Sequence, residues 1–343
     1  MRKMIEMDLE LMPYIQTPEQ DAKQLYGNAC SNDEVTVESW RDIWIDQTRE
    51  NHKLFGPFKD RNVGSLFGKH QGGSCLVAGA GPSLANNIED LKNKGDIPLI
   101  SVLHNFHYMI DNDIKVDYFV NLDAGKDITL EEVSEGGEHD HDYYLEKSKD
   151  YTLLAFVGSS PKLLKAWQGE ILFFNAPIPD KRITDAIEEI EPLHTFVSNG
   201  GNVLGACVYL AKVMGAMNVG YLGADLCFSY TKKFHPWKNK YNEKLGKANR
   251  VLDIFGNSVF TWQSYHNFKS WFEYVSLVVP GIWINCTEGG TLGAHHTGNI
   301  MSIQQWTLKH FINAYTLNKG IEYQYKNPSN GKDPKDQNLS LLF

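Results

Sequence analysis

From Ser74 onward the chain alternates two patterns. Short runs that are almost wholly apolar are separated by longer stretches in which apolar residues return every three or four positions. The runs CLVAG (75–79), PLISVL (98–103), DYFVNLD (117–123), TLLAFV (152–157), EILFFNAP (170–177), NVGYLGAD (218–225) and IWINC (282–286) predict strands. They lack the polar alternation of a one-sided sheet, so they are expected to be covered on both faces. Between them, LANNIEDLKNKG sets Leu84, Ile88 and Leu91 on one helical face and stops at Gly95. FHYMIDND, SPKLLKAWQG, GGNVLGACVYLAKVMGA and SYHNFKSWFEYVSLVV read as further helices, and MSIQQWTLKHFINAYTL as a last one. The stretch 125–150 has no clear period and reads as a loop with a helical piece. Residues 226–258 form a long polar segment rich in aromatics.

Strands alternating with helices predict an α/β fold, Rossmann-like, with a mostly parallel sheet and helices on both faces. A helical, polar N-terminal region precedes it. There VTVESWRDIWIDQTRENHKLFG puts Trp40, Ile43, Trp44 and Thr48 on one face that must pack on something. The expected division is 1–70 for this region, 71–300 for the Rossmann-like domain, and 301–343 for a C-terminal helix and polar tail.

Composition changes this picture little. The chain has 343 residues and a formal net charge of −9, which argues against a dedicated nucleic-acid binder without excluding a local basic cleft. The five cysteines are scattered, with no CxxC pair, and three sit in apolar runs; a reducing, cytoplasmic compartment is expected. The start is acidic and interrupted by Pro13, unlike a signal peptide, and no apolar run is long enough to span a bilayer.

In a parallel sheet, ligands bind in loops at the carboxyl ends of strands. The loop after the first run, Gly79-Ala80-Gly81-Pro82-Ser83, is the most suggestive. Its glycines allow a close approach by a ligand, and Pro82 suits a helix start, whose N-terminus would face a phosphate. The same turn also serves as a plain strand-to-helix connection. It is not a Walker loop, because no Gly-Lys-Ser/Thr follows. Nor is it a dinucleotide fingerprint: Leu84 stands where the third Gly belongs, and the next strand ends in Leu103-His104 rather than an acid.

Asp123 and Asp225 both end strands. Two carboxylates at the mouth of the sheet suit Mg²⁺ beside a diphosphate; as strand-end caps they need no metal. The run EGGEHDHD lacks an apolar frame and reads as a solvated loop. EGGTLGAHH places Glu288 and Gly289 just past a strand, ahead of His295 and His296, with Glu288 a candidate for ribose or sugar hydroxyls or part of a structural turn. No residue is assigned to a metal.

Taken in order, VAGAGPSL, SVLHNF, VDYFVNLD, SNGGNVLGACVYLAKVMGAMNVGYLGADLCF and NCTEGGTLGA resemble a family with two branches. One holds the archaeal 6-hydroxymethylpterin diphosphokinases (MptE-like). The other holds the motility accessory factor (Maf) proteins, which glycosylate flagellin with nonulosonic acids. The bacterial CMP-sialic acid sialyltransferases are more distantly similar. The resemblance covers about residues 72–295. It implies a nucleotide or nucleotide-sugar at Gly79–Ser83, contacted also by Asn105 and by the turn of Ser198, Asn199 and Gly200. It further implies a His base after the strand ending in Asp225: His235, in KKFHPWKN, or else His266.

The leading expectation is a glycosyltransferase that uses a CMP- or UDP-linked sugar and an unidentified acceptor hydroxyl. His235 and Asp225 are its catalytic residues. Lys232, Lys233 or Lys238 would steady the leaving phosphate, and Phe228, Tyr230, Phe234, Trp237 and Tyr241 would either close over the site or form a packed insertion with surface aromatics. An ATP- and Mg²⁺-dependent diphosphokinase acting on a pterin-like alcohol is the alternative, and a non-catalytic nucleotide-binding module the next. Neither a membrane span nor nucleic acid is expected, and the oligomeric state stays open.

Overall fold

A computed structural model describes residues 33–125, 128–178, 180–191, 196–228, 236, 248–295 and 298–316. The elements run in the order the hydrophobic pattern suggests. Helix α1 (Asp33–Phe55) leads to β1 (Ser74–Ala78), α2 (Leu84–Leu91), β2 (Leu99–Val102), α3 (Phe106–Asp111) and β3 (Tyr118–Asn121). Next come α4 (Leu130–Ser134), α5 (His141–Ser148), β4 (Thr152–Phe156), α6 (Pro161–Ala166), β5 (Ile171–Phe174), α7 (Lys181–Ile190), α8 (Val203–Val213) and β6 (Asn218–Leu222). The hairpin β7 (Asn249–Leu252) and β8 (Ser258–Thr261) precedes α9 (Gln263–Val278) and β9 (Ile282–Asn285). The short pair β10 (Ala294–His295) and β11 (Gly298–Asn299), then β12 (Ile303–Gln305) and α10 (Leu308–Thr316), complete the described chain.

Eight strands form one sheet in the order β12-β9-β6-β1-β2-β3-β4-β5. Every pairing in it is parallel, from Ile303 beside Trp283 at one edge to Leu153 beside Ile171 near the other. Helices cover the sheet, and the central strands are buried along almost their whole length. The chain winds outward from β1 through β2 to β5, then returns to place β6 on the other side of β1. This reversal opens a crevice between the loops after β1 and β6, where sheets of this kind bind ligands.

Four local outcomes differ from the sequence reading. The stretch 125–150 holds two helices. Asp140 caps the second, its side chain accepting from the Tyr143 N–H, so the acidic run is a helix start. The amphipathic helix α7 lies where no element was assigned; Asp180 caps it by accepting from Arg182 and Ile183. Within 226–258 the chain forms β7, which pairs with β8. The expected last helix splits into β12 and α10, because Ile303 is buried at the sheet edge beside β9 and pairing there overrides a helical pattern.

Candidate active site

The loops after β1 and β6 are bonded together before any ligand is considered. Gly79 N–H donates to the Leu222 carbonyl at 2.8 Å, and Gly81 N–H to that of Gly223 at 2.9 Å. The backbones lie so close that a Cβ on Gly79 or Gly81 would run into the Gly223 carbonyl. One on Gly223, whose φ is +55°, would run into the Gly79 carbonyl. The Gly-Ala-Gly turn is therefore required first by the contact between two loops.

Asp225 fills the space under the turn. Its Oδ2 accepts from Ser83 Oγ at 2.7 Å, and both its oxygens lie 3.3–3.4 Å from the Ser83 N–H. A Cβ on Gly81 would overlap Oδ2. Burial pushes the Asp225 carboxyl up to about 6, against the two Ser83 bonds, which pull it down. The Ser83 N–H at the start of α2 thus already faces a carboxylate. Around the turn the Gly79 and Gly81 amides bond inward, Leu84 and Ala85 donate to Gly81 and Pro82, and Pro82 has no N–H. The expectation that a phosphate lies on these amides meets this geometry: they are engaged within the protein.

A cavity of about 600 Å³ opens at this point. The turn Gly79–Pro82, His104, Asn121, Asp123, Asn202, Asp225 and Tyr265 bring its polar edge. Val102, Val120, Val203, Leu204, Leu226 and Phe268 supply apolar walls. The only acidic side chains on this lining, among the described residues, are Asp123 and Asp225, and no Lys or Arg lines it. Asn202 fixes one wall by capping α8, its Oδ1 accepting from the Gly205 N–H at 2.9 Å. A smaller cavity adjoins it through Asp123, Asn202 and Val203 and is walled on its far side by Val37, Trp40 and Trp44 of α1.

Of the residues expected at the site, Gly79, Ala80, Gly81, Pro82, Asp123 and Asp225 line the large cavity. Asn105 does not. It is fully buried, and its amide donates to the Gly79 carbonyl at 2.9 Å and to Ser101 Oγ at 3.1 Å, so it braces the turn from below. Its Oδ1 has no partner among the described residues. Asn199 lines the smaller cavity. Ser198 is half-buried outside both linings, and Gly200, at φ +56°, packs against the Trp271 ring. Glu288 is turned away: its Oε1 accepts from the Leu308 N–H at 2.9 Å and from Asn87 at 3.1 Å, capping α10. Gly289 packs near Ser83 beside that turn. His266 lines a separate cavity on the other side of α9. His235, with Lys232, Lys233, Lys238, Tyr230, Phe234, Trp237 and Tyr241, lies outside the described residues, as does His296. Phe228 is buried, pairing with Phe260 and meeting the Trp262 ring edge-on at 4.8 Å.

Among the lining residues that the sequence reading did not single out are Asn121, Asn202, Tyr265 and Phe268. Asn121 and Asn202 had a faint signal, as polar residues at the end of a strand and the start of a helix. Tyr265 and Phe268 had none, since a helix pattern does not say which of its faces meets a cavity. Among the described residues no group of three or more His, Cys, Asp or Glu could hold a metal ion. The described cysteines are free and buried, and no described helix is long and apolar enough to cross a membrane.

This is a Rossmann-like α/β protein with a ligand-sized cavity at its topological switch point. The chain belongs to the 6-hydroxymethylpterin diphosphokinase MptE-like family, whose model matches residues 49–231. Among solved structures it is similar to the MAf glycosyltransferase from Magnetospirillum magneticum AMB-1, with 14% identity and a TM-score of 0.49. The similarity covers 88% of this chain and 50% of that one, so the chain spans about half the length of that protein. No curated protein matches the chain.

Proposed function

We propose that the protein is a transferase that binds a nucleotide-activated sugar in the cavity between the loops after β1 and β6 and passes the sugar to an acceptor hydroxyl. The observation that carries this reading is Asp225: a carboxylate on the cavity wall, at the switch point, held near pH 6 by burial. A group with that affinity for protons is suited to general acid–base work at neutral pH. In the proposed step Asp225 takes the proton of the acceptor hydroxyl as its oxygen bonds to the sugar. The bond from sugar to phosphate breaks, and the electron pair leaves with the nucleotide. The apolar walls keep water from competing for the sugar. CMP- and UDP-linked donors are the proposed class, and His235 is proposed as a further base.

A second reading, pyrophosphoryl transfer from ATP to a pterin-like alcohol, is favoured by the description of the family. It calls for Mg²⁺. Asp123 and Asp225 line one cavity, but Oδ2 of Asp225 accepts from Ser83 Oγ, and among the described residues no third carboxylate lines it and no group of three or more His, Cys, Asp or Glu could hold a metal ion. The described residues therefore fit that ion poorly.

Thermal unfolding with CMP, UDP, GDP, ADP and ATP, each with and without Mg²⁺, separates the two. Stabilisation by a pyrimidine nucleotide without metal is expected. Val203→Trp should abolish it by filling the cavity from its wall at the first residue of α8. Gly81→Val is unsuitable as a test, because its side chain would displace Asp225 and loosen the turn itself. Stabilisation by ATP with Mg²⁺ alone would overturn the sugar-transfer reading in favour of the second.

A further inference from the structure

The cavity on the far side of α9 has a different chemistry. Its volume is about 390 Å³, and the β7–β8 hairpin, α9 and β10 enclose it. Basic side chains reach its lining from three elements: Arg250 from β7, His266 and Lys269 from α9, and His295 from β10. Arg250 holds its guanidinium 5.3 Å from the centre of the Phe260 ring.

One buried acid, Glu273, stands behind them. Its Oε1 lies 3.0 Å from Lys269 Nζ and accepts from the Gly293 N–H at 3.2 Å, while Oε2 lies 3.3 Å from His295 Nε2. Burial alone would raise the Glu273 carboxyl, but His295 and Lys269 hold it below the usual range, so it is ionised. Lys269 is further tied to the Ala294 carbonyl at 2.7 Å. Glu273 thus fixes Lys269 and His295 in place and offsets only one positive charge. The nearby Asp253 carboxylate is spent inside the hairpin turn on the Phe255 and Asn257 N–H groups. At His266, burial and then the charge of Lys269 disfavour protonation, with His295 adding to the effect and Glu273 opposing it. Among the described residues Arg250 and Lys269 line this cavity and no acidic side chain does.

We propose that this cavity is a subsite for a small anionic group, a carboxylate or a phosphate ester, gathered by Arg250, His266, Lys269 and His295. An anion here would pair with Arg250, which has no ion pair among the described residues, and favour protonation of His266. The two cavities have bonded linings: the hydroxyls of Thr261 and Thr291, which line the basic cavity, donate to the carbonyls of Leu226 (φ +52°) and Asp225, which line the large one. An anionic substituent of the acceptor or donor held here would lie beside the transfer site. That role, though not the binding, rests on the transferase reading.

The test is an imidazole NMR titration of the full chain with inorganic phosphate and, separately, with acetate, at constant ionic strength set with chloride. His266 and His295 are assigned through His266→Gln and His295→Gln. Saturable shifts of both rings with one of the anions, a rise in the His266 pKa, and tighter binding at lower pH are expected. The anion that binds more tightly identifies phosphate or carboxylate as the preferred group. Arg250→Ala, at an exposed position, should weaken binding about ten- to a hundredfold, and Arg250→Lys less, since one charge-assisted bond is worth about 1.5–3 kcal/mol. No saturable shift with either anion, or unchanged affinity in Arg250→Ala, would overturn the proposal. No nucleotide is present, so failure here leaves the donor reading untouched, and a nucleotide that fails to bind leaves this result standing.

Discussion

Asp225 is the residue whose charge and burial conflict most directly. Its carboxyl titrates near 6 in the fold against 3.8 for an ordinary aspartate. With the folded value the higher one, the group favours folding most below about 3.8, and that contribution is lost as the pH rises through about 6. The loss is on the order of 2–3 kcal/mol. Asp225→Asn should therefore flatten the pH dependence of unfolding between pH 4 and 7, measured by denaturant titration. Ser83→Ala removes the hydroxyl that lowers this value and leaves the carboxylate with a weaker partner. It should cost about 1.5–3 kcal/mol at neutral pH and move the midpoint further up. Activity should fall about 10²–10⁴-fold in Asp225→Asn if the group is the base. Turnover with the nucleotide donor, compared with donor affinity, checks this.

At the scale of elements, a residue's role follows from the helix or strand end it serves. Glu288, a candidate for sugar hydroxyls or for a structural turn, caps α10 while holding Asn87 of α2. Glu288→Gln should lower stability by about 1 kcal/mol, as loss of a capping carboxylate does, and leave nucleotide affinity unchanged. Calorimetric unfolding and a nucleotide titration check the two halves. The strands around the switch point were legible because each is buried on both faces and bounded by turn residues. Apart from α7, which is amphipathic and capped by its own Asp180, the elements that were misread or missed are those whose identity depends on a partner. β12 is a strand because β9 is beside it, β7 because β8 follows, and the run at Asp140 begins a helix because Tyr144 has a buried place to go.

For the whole molecule, the contribution of α1 is the least expected. The face predicted to pack does so in part, with Trp40 left exposed. Trp44 meets the Phe156 ring edge-on at 5.9 Å, and Thr48 is fully buried. Beyond that apolar contact, Gln47 donates to the carbonyls of Ala124 and Gly158, and Asn51 to those of Val157 and Ser159, all at 2.8–2.9 Å. Arg41 pairs with Asp180 of the α7 cap at 2.6 Å. The helix thus closes the loops after β3 and β4 at the same end of the sheet as the candidate site. Asn51→Ala would leave two buried carbonyls without their donor and should cost about 2–4 kcal/mol in a denaturant titration. The sequence by itself determined the alternation of buried strands and helices, and so the parallel sheet and the end at which its loops gather. It also marked the turn after β1 and the aspartates after β3 and β6, because local backbone chemistry and burial on both faces leave a signature in consecutive residues. Only the tertiary structure decided that β6 returns beside β1, that Asp225 lies beneath Gly81 and against Ser83, that Asn105 and Glu288 bond to loops outside the lining of the large cavity, and that basic residues from β7, α9 and β10 share a cavity. These contacts join residues far apart in the chain, and their energy depends on distance and desolvation, which the order of residues does not specify.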